Sequence, residues 1–225
     1  QGAKGILQIA HAGVHADKSM TMGYDVLGPS DMTYFNARAM TDQEVREMIH
    51  SFAYATELAI RAGLDGVEIH GANGWLIQQF VSANYNQRTD HWGGSMEKRF
   101  NFPMAIIDAI DEVRRKMNRP DFIVGYRFSP ERPRDGYTMK ESLALIDELV
   151  TKPLQYLHVS LLNFYSRPRR GADHSMTRMQ LFHDRINGQL PLVGVGSLYT
   201  GTQITKAYDT GWAEFIALGR AVMFN

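Results

Sequence analysis

Three features of the chain predict an α/β fold, a parallel sheet closed as a (β/α)8 barrel. Short apolar runs alternate with longer amphipathic ones, and no hairpin signal separates them, so the strands run parallel with helical crossovers. Polar residues recur at one parity of several strands, which gathers them on the inner face of the sheet. A faint internal echo is the third feature. Ala62-Gly63-Leu64-Asp65 and Thr210-Gly211-Trp212-Ala213 each close a helix with glycine, and the strands that follow stop at Gly71 and Gly219. Repeated βα units of this kind place functional groups at strand C-termini.

The first strand covers residues 5–10, where Leu7 and Ile9 face the helices and Gln8 turns inward. A helix over 42–62 opens behind Thr41 with Glu44 as capping-box partner, and sets Val45, Ile49, Phe52 and Ala53 on one stripe. The strand over 66–70 buries Val67 and Ile69 and turns Glu68 and His70 inward. A helix over 96–117 opens behind Ser95 and carries Phe100, Met104, Ile107 and Ile110 at near-helical spacing. Strands over 122–127, 156–160, 192–196 and 214–218 alternate with shorter helices over 140–150, 175–186 and 202–210. Arg127, His158 and Ser160 take the inward parity. These residues form a single domain over 1–225 with about six of the eight units a closed barrel needs. Gln1 enters a strand almost at once and Asn225 falls early in a helix, so the domain reads as incomplete at both ends.

Composition removes several classes of function. Lys and Arg total 24 and Asp and Glu total 24, which gives no electrostatic case for nucleic acid or an anionic membrane. No apolar run approaches the ~20 residues of a membrane-spanning helix. The absence of cysteine excludes disulfides, cysteine-ligated clusters and thiol catalysis within this sequence. A cytoplasmic protein, possible as a homo-oligomer, is the default expectation.

The stretch Val67-Glu68-Ile69-His70-Gly71-Ala72-Asn73-Gly74-Trp75-Leu76 carries the most chemical information. It hangs two neutral hydrogen-bond donors, His70 and Asn73, over the end of a buried strand. Such a pair can grip one oxygen of a substrate and draw electron density out of a conjugated double bond. A lone histidine at a strand end also serves as a cap for its own turn. The last two units add twin glycine loops, Val195-Gly196-Ser197 and Leu218-Gly219-Arg220. Glycine lets backbone N–H groups approach an anion, and loops after strands seven and eight are the habitual phosphate site of this barrel. Gly194-x-Gly196 is not a dinucleotide fingerprint, because Tyr199 stands at the third glycine position.

Five motifs in order resemble the Old Yellow Enzyme family of flavin ene-reductases. They are Leu7-Gln8-Ile9-Ala10-His11-Ala12-Gly13, the His70-Asn73 stretch, the loop from Asn86 to Ser95 closed by Arg99 and Phe102, the strand ending in Arg127, and Gly219-Arg220. The resemblance implies an FMN-binding TIM barrel that takes hydride from NADH or NADPH and delivers it to an enone, an enoate or a related small acceptor. It implies that His70 and Asn73 hold the substrate oxygen. Gln8 and Arg127 would contact the flavin ring, while Gly196, Ser197, Gly219 and Arg220 would hold its phosphate. It also implies that two strands precede Gln1 and that the final helix continues past Asn225. The pattern is broken at Val14, where the family usually has arginine. It is broken again at the third catalytic position, Trp75, where many members carry a proton-donating tyrosine. An indole N–H donates hydrogen bonds but not protons near neutral pH.

Other readings were open at this level. His11 and His15 stand at a zinc-binding spacing, but Gly13 argues against the helix that spacing needs. Glu68 and Glu131 at strand ends could form a glycosidase pair. A barrel piece unable to hold flavin is the non-enzymatic alternative. Arg167, Arg169 and Arg170 read as a mobile, solvated loop over the barrel mouth.

Overall fold

The computed structural model describes residues 2–223. Strands β1 (Ile6–Ile9), β4 (Gly66–Gly71), β5 (Ile123–Phe128), β6 (Tyr156–Val159), β7 (Leu192–Gly194) and β8 (Phe215–Ile216) form one parallel sheet in that spatial order. Two further strands, β2 (Val26–Gly28) and β3 (Ala37–Ala39), pair parallel with each other in the segment between β1 and the first helix. Among the described residues the strands therefore number eight, which corrects the expectation of about six. The two additional strands are internal, so placing two strands ahead of Gln1 is corrected as well. Both new strands have three residues, too few for an alternating pattern to show in sequence. Gln1 and Asn225, on which the reading of incomplete ends relied, lie outside the described residues.

Helices fill the crossovers. They are α1 (Asp42–Arg61), α2 (Leu76–Val81), α3 (Met96–Lys116), α4 (Met139–Leu149), α5 (Arg178–Ile186), α6 (Gly201–Tyr208) and α7 (Arg220–Met223). The capping box of α1 forms as its sequence requires: Glu44 N donates to Thr41 Oγ1 and Thr41 N to Glu44 Oε2. Val45, Phe52, Ala59 and Ile60 of α1 lie buried where it packs on α3, which contributes Phe100, Phe102, Ile106, Ile107 and Ile110. Burying each of the larger side chains stabilises the fold by roughly 1.5–3 kcal/mol. Helix α2 was not anticipated, because all six of its residues are buried and no polar face betrays its period.

Strand order explains the burial of each strand. β4 is buried at every position, whereas β1 stands at one end of the sheet order and leaves Leu7 42% exposed. The loop before α3 is scaffold. Arg88 ties Asp90 to the carbonyls of Pro29 and Met40, fastening the β2–β3 segment to the barrel. Arg99 does not join that ion pair. It is buried and donates instead to the carbonyl of Val81 at 3.0 Å. Among the described residues, no helix is long and apolar enough to cross a membrane.

Candidate active site

The turn after β4 is built to present two donors. Asn73 and Gly74 both take left-handed backbone, at φ 60° and 80°, a region asparagine and glycine tolerate best. Two buried glutamines hold that shape. Gln78 Oε1 accepts from Gly74 N at 2.9 Å, and Gln79 Nε2 donates to the carbonyls of Gly74 and Ala12. Sequence reading missed both glutamines, since only the fold brings them under the turn.

Obligate donors fix which way each polar group points. A backbone N–H can only donate, so Ala72 N, 3.3 Å from His70 Nδ1, requires that nitrogen to be unprotonated. His70 thus carries its proton on Nε2. Burial, followed by the nearby Arg127 charge, holds its pKa down to about 4, so the ring is neutral at physiological pH. The same logic orients Asn73. Arg127 Nη2 donates to Ser160 Oγ at 3.2 Å, and Ser160 Oγ donates to Asn73 Oδ1 at 2.8 Å. With its carbonyl oxygen engaged, Asn73 is left with its Nδ2–H pair to offer. Asn73 N is anchored in turn by Ser129 Oγ at 2.8 Å.

Register places the expected cofactor residues around this pair. His70 lies beside Arg127, and Arg127 beside His158, on adjacent strands. One step down the sheet, Gln8 lies beside Glu68 and Glu68 beside Gly125. Glu68 ties the lower layer together. It accepts from Gln8 Nε2 at 2.5 Å, Tyr156 Oη at 3.0 Å and His158 Nδ1 at 2.9 Å. Burial pushes the Glu68 carboxyl up, but the bonds from His158, Gln8 and Tyr156 win and hold it below its ordinary value. Gly125 permits the layer, because a Cβ there would strike the Tyr156 ring that crosses above it. Two buried polar atoms on this inner face, Arg127 Nε and His158 Nε2, have no protein partner. The Arg127 Nε–H suits the acceptor edge of a flavin ring. His158 and Tyr156 were not among the expected site residues, although both take the inward parity.

The twin loops meet in a cleft of about 210 Å³ lined by Gly196, Ser197, Gly219 and Arg220. Gly196 and Ser197 both have positive φ, and a Cβ on Gly196 would strike the backbone of Phe164. A Cβ on Gly219 would meet nothing within 4 Å, so that backbone faces open space. Arg220 stands over the Tyr199 ring, 5.6 Å from its centroid. A glycine-walled cleft with a guanidinium at its edge and an unpartnered Arg127 Nε–H on the sheet fit both ends of FMN.

Trp75 is half-buried and packs edge-on near His15, with centroids 6.3 Å apart. His15 also meets Phe35 and Tyr85, so this corner is an aromatic wall. His11 Nδ1 accepts from Gly13 N at 3.0 Å and closes its own turn. Among the described residues, no cluster of three His, Asp or Glu could hold a metal. In the loop of Arg167, Arg169 and Arg170, Glu131 accepts from the amides of Arg169 and Arg170.

The whole chain, residues 1–225, matches the model of the NADH:flavin oxidoreductase / NADH oxidase family. The chain belongs to that family. It is 46% identical over 230 residues to the probable NADH-dependent flavin oxidoreductase YqiG of Bacillus subtilis, covering 100% of this chain and 61% of that protein. It is 37% identical over 231 residues to the NADH:fumarate oxidoreductase of Klebsiella pneumoniae, covering 98% of this chain and 25% of that protein. Among solved structures, morphinone reductase in complex with tetrahydroNAD superposes with a TM-score of 0.77 at 26% identity, over 97% of this chain and 62% of that one. The chain thus spans less than two thirds of these relatives.

Proposed function

We propose that this chain forms the flavin site of an FMN-dependent oxidoreductase. It would move hydride from NADH or NADPH to an electron-poor alkene of the enone or enoate type, or to a related acceptor. The observation that supports this most directly is the pair of oriented neutral donors, His70 Nε2–H and Asn73 Nδ2–H, at the end of β4. Bound FMN supplies the hydride relay between nicotinamide and acceptor. His70 and Asn73 hold the acceptor oxygen and strengthen their bonds as negative charge gathers there. Arg127 sets the direction of Asn73 through Ser160 and keeps its Nε for the cofactor. Gly196, Ser197, Gly219 and Arg220 hold the phosphate. A glycosidase is disfavoured, because Glu131 is locked by the Arg178 guanidinium and two backbone amides and cannot act as a second carboxylate.

The test is the cofactor itself. Protein carrying this chain at full length should release FMN, not FAD, on denaturation. Arg220→Ala should weaken FMN by roughly tenfold, the loss of one charge-assisted contact, and leave riboflavin unaffected. Arg127→Ala should instead lower the flavin reduction potential, because the reduced ring loses a cation. An absence of flavin, or variants that alter only thermal stability, would count against the reading.

Trp75 separates two ways of finishing the reaction. If the α-carbon proton comes from water, Trp75→Tyr should raise turnover of enones that are hard to protonate, and Trp75→Phe should change it little. Nitro-group reduction should respond weakly to both. A large loss of enone turnover in Trp75→Phe, with nitro reduction intact, would give the indole a chemical part it is not assigned here.

A further inference from the structure

Equal numbers of acidic and basic residues make the chain neutral, yet arginines gather beside the barrel mouth. Arg132, Arg134, Arg169 and Arg170 line a cleft of about 510 Å³ whose lining carboxylates are Glu131 and Asp135. Both carboxylates are engaged. Glu131 accepts from Arg178 and from the amides of Arg169 and Arg170, and Asp135 accepts from Arg132 Nε at 2.6 Å. Among the described residues, the guanidinium groups of Arg134, Arg169 and Arg170 have no hydrogen-bond or ion-pair partner, and all three residues are exposed.

Repulsion among such groups would spread a loose surface loop. Here the backbone is clamped on both sides. Asn84 Nδ2 donates to the Arg134 carbonyl at 2.8 Å and Asn84 N to the Asp135 carbonyl at 3.0 Å. Across the cleft, Met139 N donates to the Arg170 carbonyl at 3.1 Å, beside the amides that Glu131 holds. The fold fixes the arginine backbones and leaves their charges unpaired. The cleft also adjoins the acceptor site. Glu131, Arg132 and Arg169 line a neighbouring cavity of about 450 Å³ that contains Asn73 and Ser160. The Arg132 guanidinium reaches the same turn, since a Cβ on Gly74 would lie 3.2 Å from its Cζ.

We infer that this cleft binds an anionic portion with several negative oxygens, a diphosphate or a pair of carboxylates, on a ligand whose reactive end lies at Asn73. A single carboxylate is satisfied by one guanidinium fork, whereas several unpaired forks fit a group with several negative oxygens. In turnover that group belongs to the diphosphate of the reduced dinucleotide or to an acidic alkene acceptor. The inference rests on the proposed function for its place in turnover, and on the cleft alone for anion binding.

The experiment titrates inorganic pyrophosphate calorimetrically into the purified holoenzyme and into Arg134→Gln/Arg169→Gln/Arg170→Gln. The native protein should bind with an affinity that falls as salt rises. The triple variant should bind roughly tenfold or more weakly at an unchanged thermal midpoint, and lysine at the same three positions should restore most of the binding. Two kinetic arms then identify the source. The kcat/KM for NADH is compared with that for uncharged 1-benzyl-1,4-dihydronicotinamide, and a dicarboxylate alkene with its dimethyl ester. A loss confined to NADH assigns the dinucleotide, and a loss confined to the acid assigns the acceptor. Equal pyrophosphate affinity in the variant, or kinetics unchanged in both arms, overturns the inference. Protein that binds pyrophosphate through these arginines but carries no FMN sinks the flavin reading and keeps the cleft.

Discussion

Alanine at both His70 and Asn73 should slow hydride delivery to an enone by about two to three decades, more than either single loss and less than their sum. Each donor makes one neutral hydrogen bond to the acceptor oxygen, worth roughly 1–3 kcal/mol or one to two decades in rate. The two act on the same atom, so their losses will not simply add. Reducing the protein with dithionite and then mixing it with the enone isolates this half of the cycle. Delivery to an artificial acceptor that needs no oxygen clamp should stay near the native rate. Asn73→Asp is the decisive control. Its carboxylate can still accept from Ser160, as Asn73 Oδ1 does at 2.8 Å, but it has no N–H to offer. It should therefore behave as the alanine variant does. A phenolate ligand should lose its charge-transfer band in the double variant. Unchanged enone rates and an unchanged band would leave the pair as nothing more than a turn cap.

His70 and Asn73 stood out in the sequence because they fall at and just past the end of an otherwise apolar strand. Their orientation was not legible. It depends on Arg127, Ser160 and Ser129, which come from other strands and meet the turn only after folding. Parity carried Gln8, Glu68, Arg127 and His158 to one face without any structure, since period-2 alternation survives in each strand. The lower layer was invisible for a different reason. Tyr156 reaches Glu68 across Gly125, and a glycine's missing side chain carries no sequence signal of what passes over it. Strands β2 and β3 escaped because three residues cannot display a period, and α2 escaped because burial on every side erases one. The fastening of the arginine loop was not legible, because its composition is that of a solvated surface and Glu131, which accepts from its amides, lies 38 residues away from Arg169.

Glu68→Ala should be the most destabilising single change in this layer, at about 3–5 kcal/mol. That is a large share of the roughly 5–15 kcal/mol by which a domain is normally stable. The reason is what remains behind. Gln8 Nε2, Tyr156 Oη and His158 Nδ1 all donate to this one carboxylate, and alanine leaves all three without an acceptor. His158 already has one buried nitrogen without a protein partner, so the variant would orphan both sides of its ring. Glu68→Gln keeps the volume and one carbonyl acceptor but turns an N–H pair toward donors, and should cost about 1–3 kcal/mol. The effect of pH follows from the lowered carboxyl. Its contribution is fully present above the ordinary glutamate range near 4.5 and is lost as pH falls through the lower folded value. Urea unfolding at pH 7 and at pH 3 should thus show the gap between native and Glu68→Gln narrowing in acid. Flavin affinity should fall in parallel, because Gln8 loses the partner that turns its remaining oxygen outward. A cost below about 1 kcal/mol for Glu68→Ala, with flavin affinity intact, would mean that packing alone holds this layer.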